Sequence, residues 1–268
     1  MTDWTPRSIL ITGASSGIGA ALAQAYAIPG ASLALSGRDA GRLARVAEAC
    51  RQAGAEVAEA PLDVTDAGAV EDWIGDADGR APVDLVIANA GVSAGTSGVP
   101  GGEGLFDESD AQVRRIFDVN FNGLLNTVFP ALARMRARGH GQLALMASLA
   151  SFRGLPGAAA YSASKAAIRS YGEALRVVAA GNGIGVTVIC PGFVASRITA
   201  QNHFPMPFFM TAEAAAALIK RRLARNPARI AFPWPLYAGT LLLAALPPAL
   251  TDPLLARRSD RHRKGVKP

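Results

Sequence analysis

The chain has 268 residues, 50% of them hydrophobic, and a formal net charge of +6. Its length suits one large domain, and no linker, repeat or low-complexity tract divides it. Residues 257–268 carry six basic side chains and one acidic one, a net of +5, which leaves +1 for the rest of the chain. A nearly neutral body excludes a broad basic face, so we predict no nucleic-acid partner.

Short apolar runs alternate with helix-length segments along the chain. Strands are predicted at residues 8–12, 31–36, 83–88, 141–147 and 186–190, with weaker candidates at 56–60 and 229–232. Helices are predicted at 17–28, 39–53, 66–77, 109–137, 158–180 and 212–225. This alternation indicates an α/β fold, a Rossmann-like doubly wound parallel sheet in a single domain with helices on both faces. Ligands of such sheets bind at the carboxyl ends of the strands.

The cysteines and the N-terminus bear on the compartment. Cys50 and Cys190 are far apart and match no metal-ligand spacing, so we predict no metal site. Cys190 ends an apolar run, which predicts a buried, reduced thiol in a reducing compartment. Residues 1–7 contain no apolar signal-peptide core, and the expected location is therefore cytoplasmic.

The first strand is followed by the glycine-rich turn Thr12-Gly-Ala-Ser-Ser-Gly-Ile-Gly19, which opens a helix. Glycines let the backbone approach a pyrophosphate that the helix N-terminus stabilises. Residues 13–17 also satisfy the Gly-x-Ser-x-Gly elbow of serine hydrolases. We reject that alternative because the elbow normally follows several strands, and because the three histidines lie in a turn, a loop and the tail.

Tyr161 and Lys165 are spaced four residues apart in a predicted helix, so their side chains share one face. A free tyrosine has a pKa of about 10, and a nearby ammonium favours the tyrosinate. Ser148, thirteen residues upstream of Tyr161, supplies a hydroxyl that can hold a substrate oxygen. These side chains suit the interconversion of a carbonyl and an alcohol.

Taken together, the motifs resemble the short-chain dehydrogenase/reductase family, in its single-domain branch, over roughly residues 7–232. The resemblance is carried, in the family's order, by the 12–19 turn, Asn89-Ala-Gly91, Asn120, Ser148, Tyr161-x-x-x-Lys165 and Pro191-Gly192. It implies an enzyme that acts on CH–OH groups. Tyr161 would be the general acid or base, Ser148 would bind the substrate oxygen, and Lys165 would lower the pKa of Tyr161 and hold the nicotinamide ribose. Asn120 would help to hold a water in a proton relay.

The resemblance also implies a set of cofactor contacts. Asp63 would accept a hydrogen bond from the adenine amine, with Val64 beside the ring, and the residues after the sixth strand would meet the nicotinamide carboxamide. The full predicted set is Gly13, Ser15, Ser16, Gly17, Ile18, Gly19, Arg38, Asp63, Val64, Asn89, Ala90, Gly91, Tyr161, Lys165, Pro191, Gly192, Val194 and Ser196.

The end of the second strand bears on which nicotinamide cofactor binds. An NAD site needs a carboxylate there for the adenosine 2′-hydroxyl, whereas an NADP site needs a cation. The sequence Leu35-Ser-Gly-Arg-Asp39 has small residues at the expected acidic positions and Arg38 directly after them. An arginine can grip a 2′-phosphate and stack on adenine, so NADP(H) is the predicted cofactor. The alternative is that Arg38 is a solvated charge paired with Asp39.

Residues 197–211 lie where the family places its substrate lid. Their phenylalanines and methionines, with Pro205 and Pro207 between them, predict an irregular apolar cover for an apolar carbonyl or alcohol substrate. The alternative is that these side chains pack down as core.

The last part of the chain departs from the family pattern. Residues 230–251 contain no charge, but Pro233, Pro235, Pro247 and Pro248 leave only about residues 236–246 for a helix, too few to cross a bilayer. The segment either covers a partner subunit in a homodimer or homotetramer, which we favour, or contacts a membrane interface through residues 236–268, at the inner membrane face. We therefore divide the chain into an NADP-binding domain at 1–232, an apolar extension at 233–256 and a basic, disordered tail at 257–268.

The sequence thus predicts an NADP(H)-dependent oxidoreductase that interconverts a carbonyl and an alcohol. Two alternatives remain: an NAD-dependent alcohol dehydrogenase with the same site, and a non-catalytic NADP-sensing protein on the same fold.

Overall fold

A parallel sheet of seven strands forms the centre of the molecule. The computed structural model describes residues 4–99, 108–202, 204–253 and 255–256. The strands are β1 (Ser8–Ile11), β2 (Ser32–Gly37), β3 (Glu56–Pro61), β4 (Leu85–Ala88), β5 (Gly141–Met146), β6 (Ile184–Pro191) and β7 (Arg229–Phe232). Their spatial order is β3-β2-β1-β4-β5-β6-β7, and every pairing is parallel. The order reverses between β1 and β4, which is where ligands bind in such sheets.

Helices cover both faces of the sheet. They are α1 (Gly17–Tyr26), α2 (Ala40–Gln52), α3 (Ala67–Arg80), α4 (Asp110–Phe117), α5 (Gly123–Arg138), α6 (Ala159–Ala180), α7 (Arg197–Ala200), α8 (Ala212–Leu223) and α9 (Trp234–Ala245). One core packs α1, α2 and α8 against alternate strand residues such as Ile9 and Ile11, and the other packs α3, α5 and α6 against Leu10 and Val86. The doubly wound α/β prediction, in a single domain, is confirmed.

All seven predicted strands are present, with ends shifted by two residues at most. The helix predicted at 109–137 is present as a continuous helical run, but a π-helical turn, Asp118–Asn122, separates α4 from α5 within it. Gly123 begins α5 where the helix crosses the loop after β3, and a Cβ at this position would lie 2.5 Å from Cγ2 of Val64. The close approach of the two segments therefore requires glycine here.

The C-terminal extension is more helical than predicted. We expected Pro233 and Pro235 to delay the helix to residue 236, but α9 begins at Trp234 with Pro235 in its first turn. Proline is tolerated there because the first N–H groups of a helix have no partner inside it. Residues 248–253 form a further helical stretch. The predicted disordered tail, 257–268, lies outside the described residues.

Two further expectations concern the thiols and the membrane. Cys50 and Cys190 are both buried and free, as predicted for Cys190. Among the residues that the structure describes, every helix falls short of the length and apolar character that crossing a bilayer requires.

Candidate active site

A cleft of about 470 Å³ opens at the carboxyl ends of the central strands, where the strand order reverses. Its size is that of a small-molecule site. The cleft is lined by Gly13, Ser15, Ser16, Gly17, Ile18, Gly37, Arg38, Asp39, Arg42, Leu62, Asp63, Val64, Asn89, Ala90, Gly91, Val92, Thr96, Val119, Met146, Ala147, Ser148, Tyr161, Lys165, Pro191, Gly192, Val194, Ser196, Arg197, Ile198 and Thr199. Most of the residues predicted from the sequence therefore surround one space.

The glycine turn after β1 forms the floor of the cleft. Gly13 and Gly17 have φ values of +67° and +54°. This is a left-handed conformation, which a residue with a side chain adopts only under strain. A Cβ on Gly13 would lie 2.8 Å from the Cα of Ala90, and one on Gly19 would lie 2.3 Å from the Gly13 carbonyl oxygen. Glycines thus leave space in which a phosphate group can approach the backbone at the start of α1.

The loop after β4 is fastened to this turn. The Thr12 Oγ1 accepts hydrogen bonds from the backbone N–H groups of Asn89, at 3.0 Å, and Ala90, at 3.1 Å. The Asn89 side-chain amide donates in return to the carbonyl oxygens of Thr12, at 3.0 Å, and Gly13, at 3.2 Å. The amide of Asn89 therefore shapes the cofactor cleft by holding two loops together.

One end of the cleft is basic. Arg38 is exposed and has no hydrogen bond or ion pair within the described parts of the chain, whereas Asp39 caps α2 and pairs with Arg42 at 2.9 Å. The hydrogen bond from the Arg42 backbone and the charges of Arg42, Arg45 and Arg197 hold the pKa of Asp39 below its usual value, although its slight desolvation opposes this. The alternative in which Arg38 pairs with Asp39 is therefore wrong.

Gly37 lies in the same wall, and a Cβ there would lie 2.9 Å from the Ser15 Oγ. A side chain at this position would therefore require the Ser15 side chain to shift. The Nε of Arg42 is buried and finds no hydrogen-bond partner among the described residues. This wall thus presents arginines and carries no carboxylate at position 37.

Asp63, predicted to accept from adenine, is already engaged. Its Oδ2 accepts from Arg115 Nη2 at 2.6 Å, and its Oδ1 accepts from the backbone and the hydroxyl of Thr65. Burial raises the pKa of Asp63, but these hydrogen bonds outweigh it and the net shift is downward. The Asp63 carboxylate still lines the cleft. An adenine amine would therefore have to donate to a carboxylate lone pair that Arg115 and Thr65 leave unused.

Ser148, Tyr161 and Lys165 meet at the opposite end of the cleft. Ser148 follows β5, and Tyr161 lies at the start of α6. The Ser148 Oγ accepts from the Ala150 N–H at 3.1 Å. Burial raises the pKa of Tyr161, and the neighbouring Ser148 hydroxyl partly opposes the rise. In the chain without a ligand, the phenol is therefore protonated near neutral pH.

Lys165 lies one helical turn below Tyr161 and is 3% exposed. Its Nζ donates to the Met146 carbonyl oxygen at 2.8 Å and lies 5.8 Å from the centre of the Tyr161 ring. Burial lowers the pKa of Lys165 to about 8. The predicted lowering of the Tyr161 pKa by this ammonium is not seen at this separation, and it stays a prediction for the ligand-bound protein.

Asn120 lies behind the cleft, in the π-helical turn, and is fully buried. Its Oδ1 accepts from the Val92 backbone at 2.8 Å, and its Nδ2 donates to the Val92 carbonyl and to the Ser164 hydroxyl, each at 3.0 Å. A Cβ on Gly91 would lie 3.2 Å from both Asn120 Oδ1 and Lys165 Nζ. Asn120 and Lys165 thus approach the same point from two elements.

The loop after β6 closes the middle of the cleft. The Gly192 N–H donates to the Phe232 carbonyl at 2.7 Å, and Ser196 caps α7 together with Thr199. A Cβ on Gly17 would lie 3.0 Å from the Cβ of Ser196, so this loop touches the glycine turn. The predicted contacts Pro191, Gly192, Val194 and Ser196 therefore lie between the two ends of the cleft.

The predicted lid, residues 197–211, is not irregular throughout, because its first four residues form α7, capped by Ser196. The described residues after α7 are irregular. Phe208 is 55% exposed and Phe209 is 50% exposed, so the alternative in which they pack down as core is wrong for both. Phe204 is half-buried and its ring lies 5.9 Å from that of Phe193. Residue 203 lies outside the described parts of the chain. An apolar segment therefore stands beside the cleft with part of its surface unoccupied.

Comparisons with known proteins agree with this geometry. A family model described as short chain dehydrogenase matches residues 7–204. The chain belongs to the short-chain dehydrogenase family. It is 41% identical over 255 residues to an uncharacterized oxidoreductase of Myxococcus xanthus, which covers 94% of this chain and 97% of that protein.

Two further relatives of this short-chain dehydrogenase have more specific descriptions. It is 34% identical over 202 residues to 11-beta-hydroxysteroid dehydrogenase 1A of Arabidopsis thaliana, covering 73% of this chain and 54% of that one. A short chain dehydrogenase/reductase from Burkholderia phymatum, solved in complex with NAD, superposes with a TM-score of 0.79 at 27% identity, over 90% of this chain and 93% of that one. The chain is thus an oxidoreductase of this family with a Rossmann-like fold.

Of the predicted site residues, only Gly19 and Asn120 lie outside the cleft wall, and each packs against residues that form it. Sequence reasoning missed Arg42 and Arg197, which line the basic end, and Ser164, which is bonded to Asn120. A signal for Arg42 was present, because it lies in the first turn of the helix that directly follows Arg38 and therefore near the same end of the cleft.

Proposed function

We propose that this short-chain dehydrogenase transfers hydride between NADP(H) and an apolar carbonyl or alcohol. The observation that carries the proposal is a single cleft with Ser148, Tyr161 and Lys165 at one end and unpaired Arg38 at the other. The family assignment supports the oxidoreductase chemistry on CH–OH groups. The choice of NADP and the class of substrate rest on the residues of this chain.

The proton chemistry follows from the surroundings of Tyr161. When bound, the nicotinamide supplies or accepts the hydride. The Tyr161 hydroxyl is protonated near neutral pH, because burial raises its pKa, and so it can donate to a carbonyl oxygen as charge develops there. Ser148 holds the same oxygen and orients it toward the phenol. In the alcohol-oxidising direction Tyr161 accepts the proton as a base, and Ser148 still holds the oxygen.

Lys165 and Asn120 act after Tyr161 has donated its proton, by helping to return a proton to it. The Lys165 ammonium, with a pKa of about 8, can stabilise a tyrosinate and return a proton within the physiological range. Lys165 Nζ and Asn120 Oδ1 both lie beside Gly91, and a water that reached both of them would have two polar partners. The intact set also argues against a non-catalytic sensor on this fold.

The basic end of the cleft fits the 2′-phosphate of NADP. Arg38 is free to form a bidentate contact with a phosphate, and the orphaned Nε of Arg42 adds a donor close by. Residue 37 is glycine, so the wall lacks the acidic side chain that would accept from a ribose hydroxyl. Asp39 does not oppose the phosphate strongly, because its charge is paired with Arg42.

The apolar substrate is inferred from the lid. Phe208 and Phe209 keep about half of their surface free, and they precede Met210, which pairs with the cleft residue Val194. Such side chains gain most from covering an apolar ligand. A relative named for hydroxysteroids is consistent with a bulky apolar alcohol or ketone.

Binding of NADPH and NADH to Arg38→Ala and Arg42→Ala tests the cofactor assignment without any substrate. Removing one phosphate contact should raise the Kd for NADPH by about 10-fold or more and leave the Kd for NADH within about twofold. Arg45→Ala is the matched control, because Arg45 is exposed on the same helix and does not line the cleft. Bound nicotinamide fluorescence gives both constants.

The alternative is that the protein uses NAD, as the structure of the Burkholderia phymatum relative in complex with NAD suggests. This alternative predicts the opposite preference between the two cofactors. Tighter binding of NADH than NADPH to the unchanged protein, or equal losses for both cofactors in Arg38→Ala, would contradict the NADP assignment.

A further inference from the structure

The C-terminal extension presents a large apolar surface. Trp234, Leu242 and Leu250 are 68%, 64% and 62% exposed, and Leu241 and Leu246 are more than a third exposed. We call these five side chains the C-terminal apolar face. No residue of α9 is buried, and residues 230–251 include no charged side chain. Exposed apolar surface of this extent marks a site of interaction.

The inner side of the extension is anchored to the body, so the outer side has a defined position. The ring of Tyr237 lies 5.4 Å from that of Phe152, and its hydroxyl accepts from Arg229 at 2.9 Å. Farther along, Arg153 donates to Thr251 at 3.1 Å and to Asp252 at 2.6 Å. The apolar face is therefore a fixed outward surface of the folded chain.

The charges of the chain identify the partner that this surface fits. The apolar face itself is uncharged, and it is followed directly by residues 257–268 with their net charge of +5. An apolar helix face that is followed in the sequence by a cluster of basic residues matches the boundary of a bilayer with anionic head groups. The exposed Trp234 adds a side chain that prefers the membrane–water interface.

We propose that the C-terminal apolar face inserts into the head-group region of an anionic lipid bilayer while the basic side chains of residues 257–268 contact the lipid phosphates. The chain then lies on the membrane and does not cross it, which agrees with the short length of α9. This proposal does not depend on the reaction that the cleft performs.

A second copy of the chain fits the same surface less well. A symmetric dimer places the same patch of both subunits together. Pairing through this face would therefore bring together the two chain segments, ending at residue 256, from which sequences of charge +5 continue. Other exposed apolar side chains, Phe129 on α5 and Val177 and Val178 on α6, are available for self-association without α9. For these reasons we favour a membrane contact for this face, in place of the subunit interface that we favoured from the sequence.

Co-sedimentation of the full-length protein with lipid vesicles tests the proposal. One set of vesicles contains phosphatidylcholine alone, and the other contains equal parts of phosphatidylglycerol and phosphatidylcholine. The variants are Leu242→Glu combined with Leu250→Glu, and a variant with all six basic residues of 257–268 changed to Gln. Val177→Glu is the control, because it adds a negative charge at an exposed apolar residue of another helix.

The unchanged protein should bind the anionic vesicles at least about tenfold more tightly than the neutral ones. The double Glu variant should lose at least about tenfold in affinity for the anionic vesicles, since the carboxylates would have to leave water. The Gln variant should lose the preference for anionic vesicles, and Val177→Glu should bind like the unchanged protein. Circular dichroism checks that each variant is folded.

Failure of the folded, unchanged protein to sediment with anionic vesicles would overturn the proposal, as would full binding by the double Glu variant. If the protein ignores vesicles and the double Glu variant alters the oligomeric state in gel filtration, the face belongs to a second copy.

Discussion

Lys165 is held in an environment that disfavours its charge. The side chain is 3% exposed, and burial moves its pKa from 10.5 down to about 8. A bound anionic cofactor would offset part of the free energy that desolvating the Lys165 ammonium costs. Without a cofactor, this side chain destabilises the fold, and its use lies in binding and catalysis. Buried ionisable groups of this kind are concentrated at functional sites.

Comparing the unchanged protein with Lys165→Met at several pH values tests this account. Between about pH 8 and pH 10.5 the lysine is protonated in the unfolded chain but neutral in the folded one, so stability rises with pH in this window. Below pH 8 the folded state bears the full cost. As the pH rises across this window, the unfolding free energy of the unchanged protein should therefore increase by up to about 3 kcal/mol relative to that of Lys165→Met.

Urea unfolding at each pH gives the two curves, and their difference removes titrations that the proteins share. A difference that stays flat, or that falls as the pH rises, would contradict the buried, charge-poor environment of Lys165.

At the scale of elements, the π-helical turn and α6 are joined by one buried hydroxyl. The Ser164 Oγ accepts from Asn120 Nδ2 at 3.0 Å and donates to the Tyr161 carbonyl oxygen at 2.8 Å. It thus connects the turn that carries Asn120 to the helix that carries Tyr161 and Lys165. Ser164 acts through these neighbours, so it is a positioning residue.

Ser164→Ala should disturb this connection without touching the cofactor. Loss of the two hydrogen bonds should lower the unfolding free energy by about 1–3 kcal/mol. A small displacement of Asn120 relative to Lys165 should lower kcat by about 10-fold, with the Kd for NADPH unchanged. Steady-state kinetics at saturating cofactor and urea unfolding measure both effects.

Ser162→Ala is the matched control, because Ser162 is buried in the same helix but its hydroxyl only accepts a long, 3.4 Å bond from Leu155. If Ser164→Ala retains the kcat of this control, the connection has no part in positioning the relay.

The strands and helices differ in how well they can be predicted from their sequences. Each strand is an apolar run between turn residues, and that pattern follows from burial on both faces of the sheet. The break at Asp118–Asn122 has no such pattern, because it reflects contacts with Val92 and Ser164 that are distant in sequence. The early start of α9 was missed because Pro235 was taken as a breaker, although proline is compatible with a first turn.

At the scale of the whole molecule, the topology brings distant segments to one cleft. The glycine turn, the loop after β2 and the loops after β4, β5 and β6 all lie at the carboxyl ends of parallel strands. This is why the order of motifs along the chain was sufficient to predict most of the cleft wall. The proximity of Arg197 to Asp39 was not predictable, since it depends on the path of the chain after β6.

The C-terminal extension has a separate place in the molecule. Its inner side packs beside the loop after β6, where Leu236 lies within 2.9 Å of the Cβ position on Gly192. Its outer side is the proposed lipid-binding surface. A membrane-bound molecule would therefore hold the nicotinamide end of its cleft near the lipid, which agrees with an apolar substrate.

The central claim is that Tyr161 exchanges the proton while hydride passes to or from NADP(H). The most direct test measures NADPH consumption by the unchanged protein and by Tyr161→Phe with a panel of apolar ketones and aldehydes. The unchanged protein should reduce at least one of them, and Tyr161→Phe should lower that rate by at least about 100-fold while its Kd for NADPH stays within about threefold. A Tyr161→Phe variant that binds NADPH normally and keeps most of the activity would contradict the account.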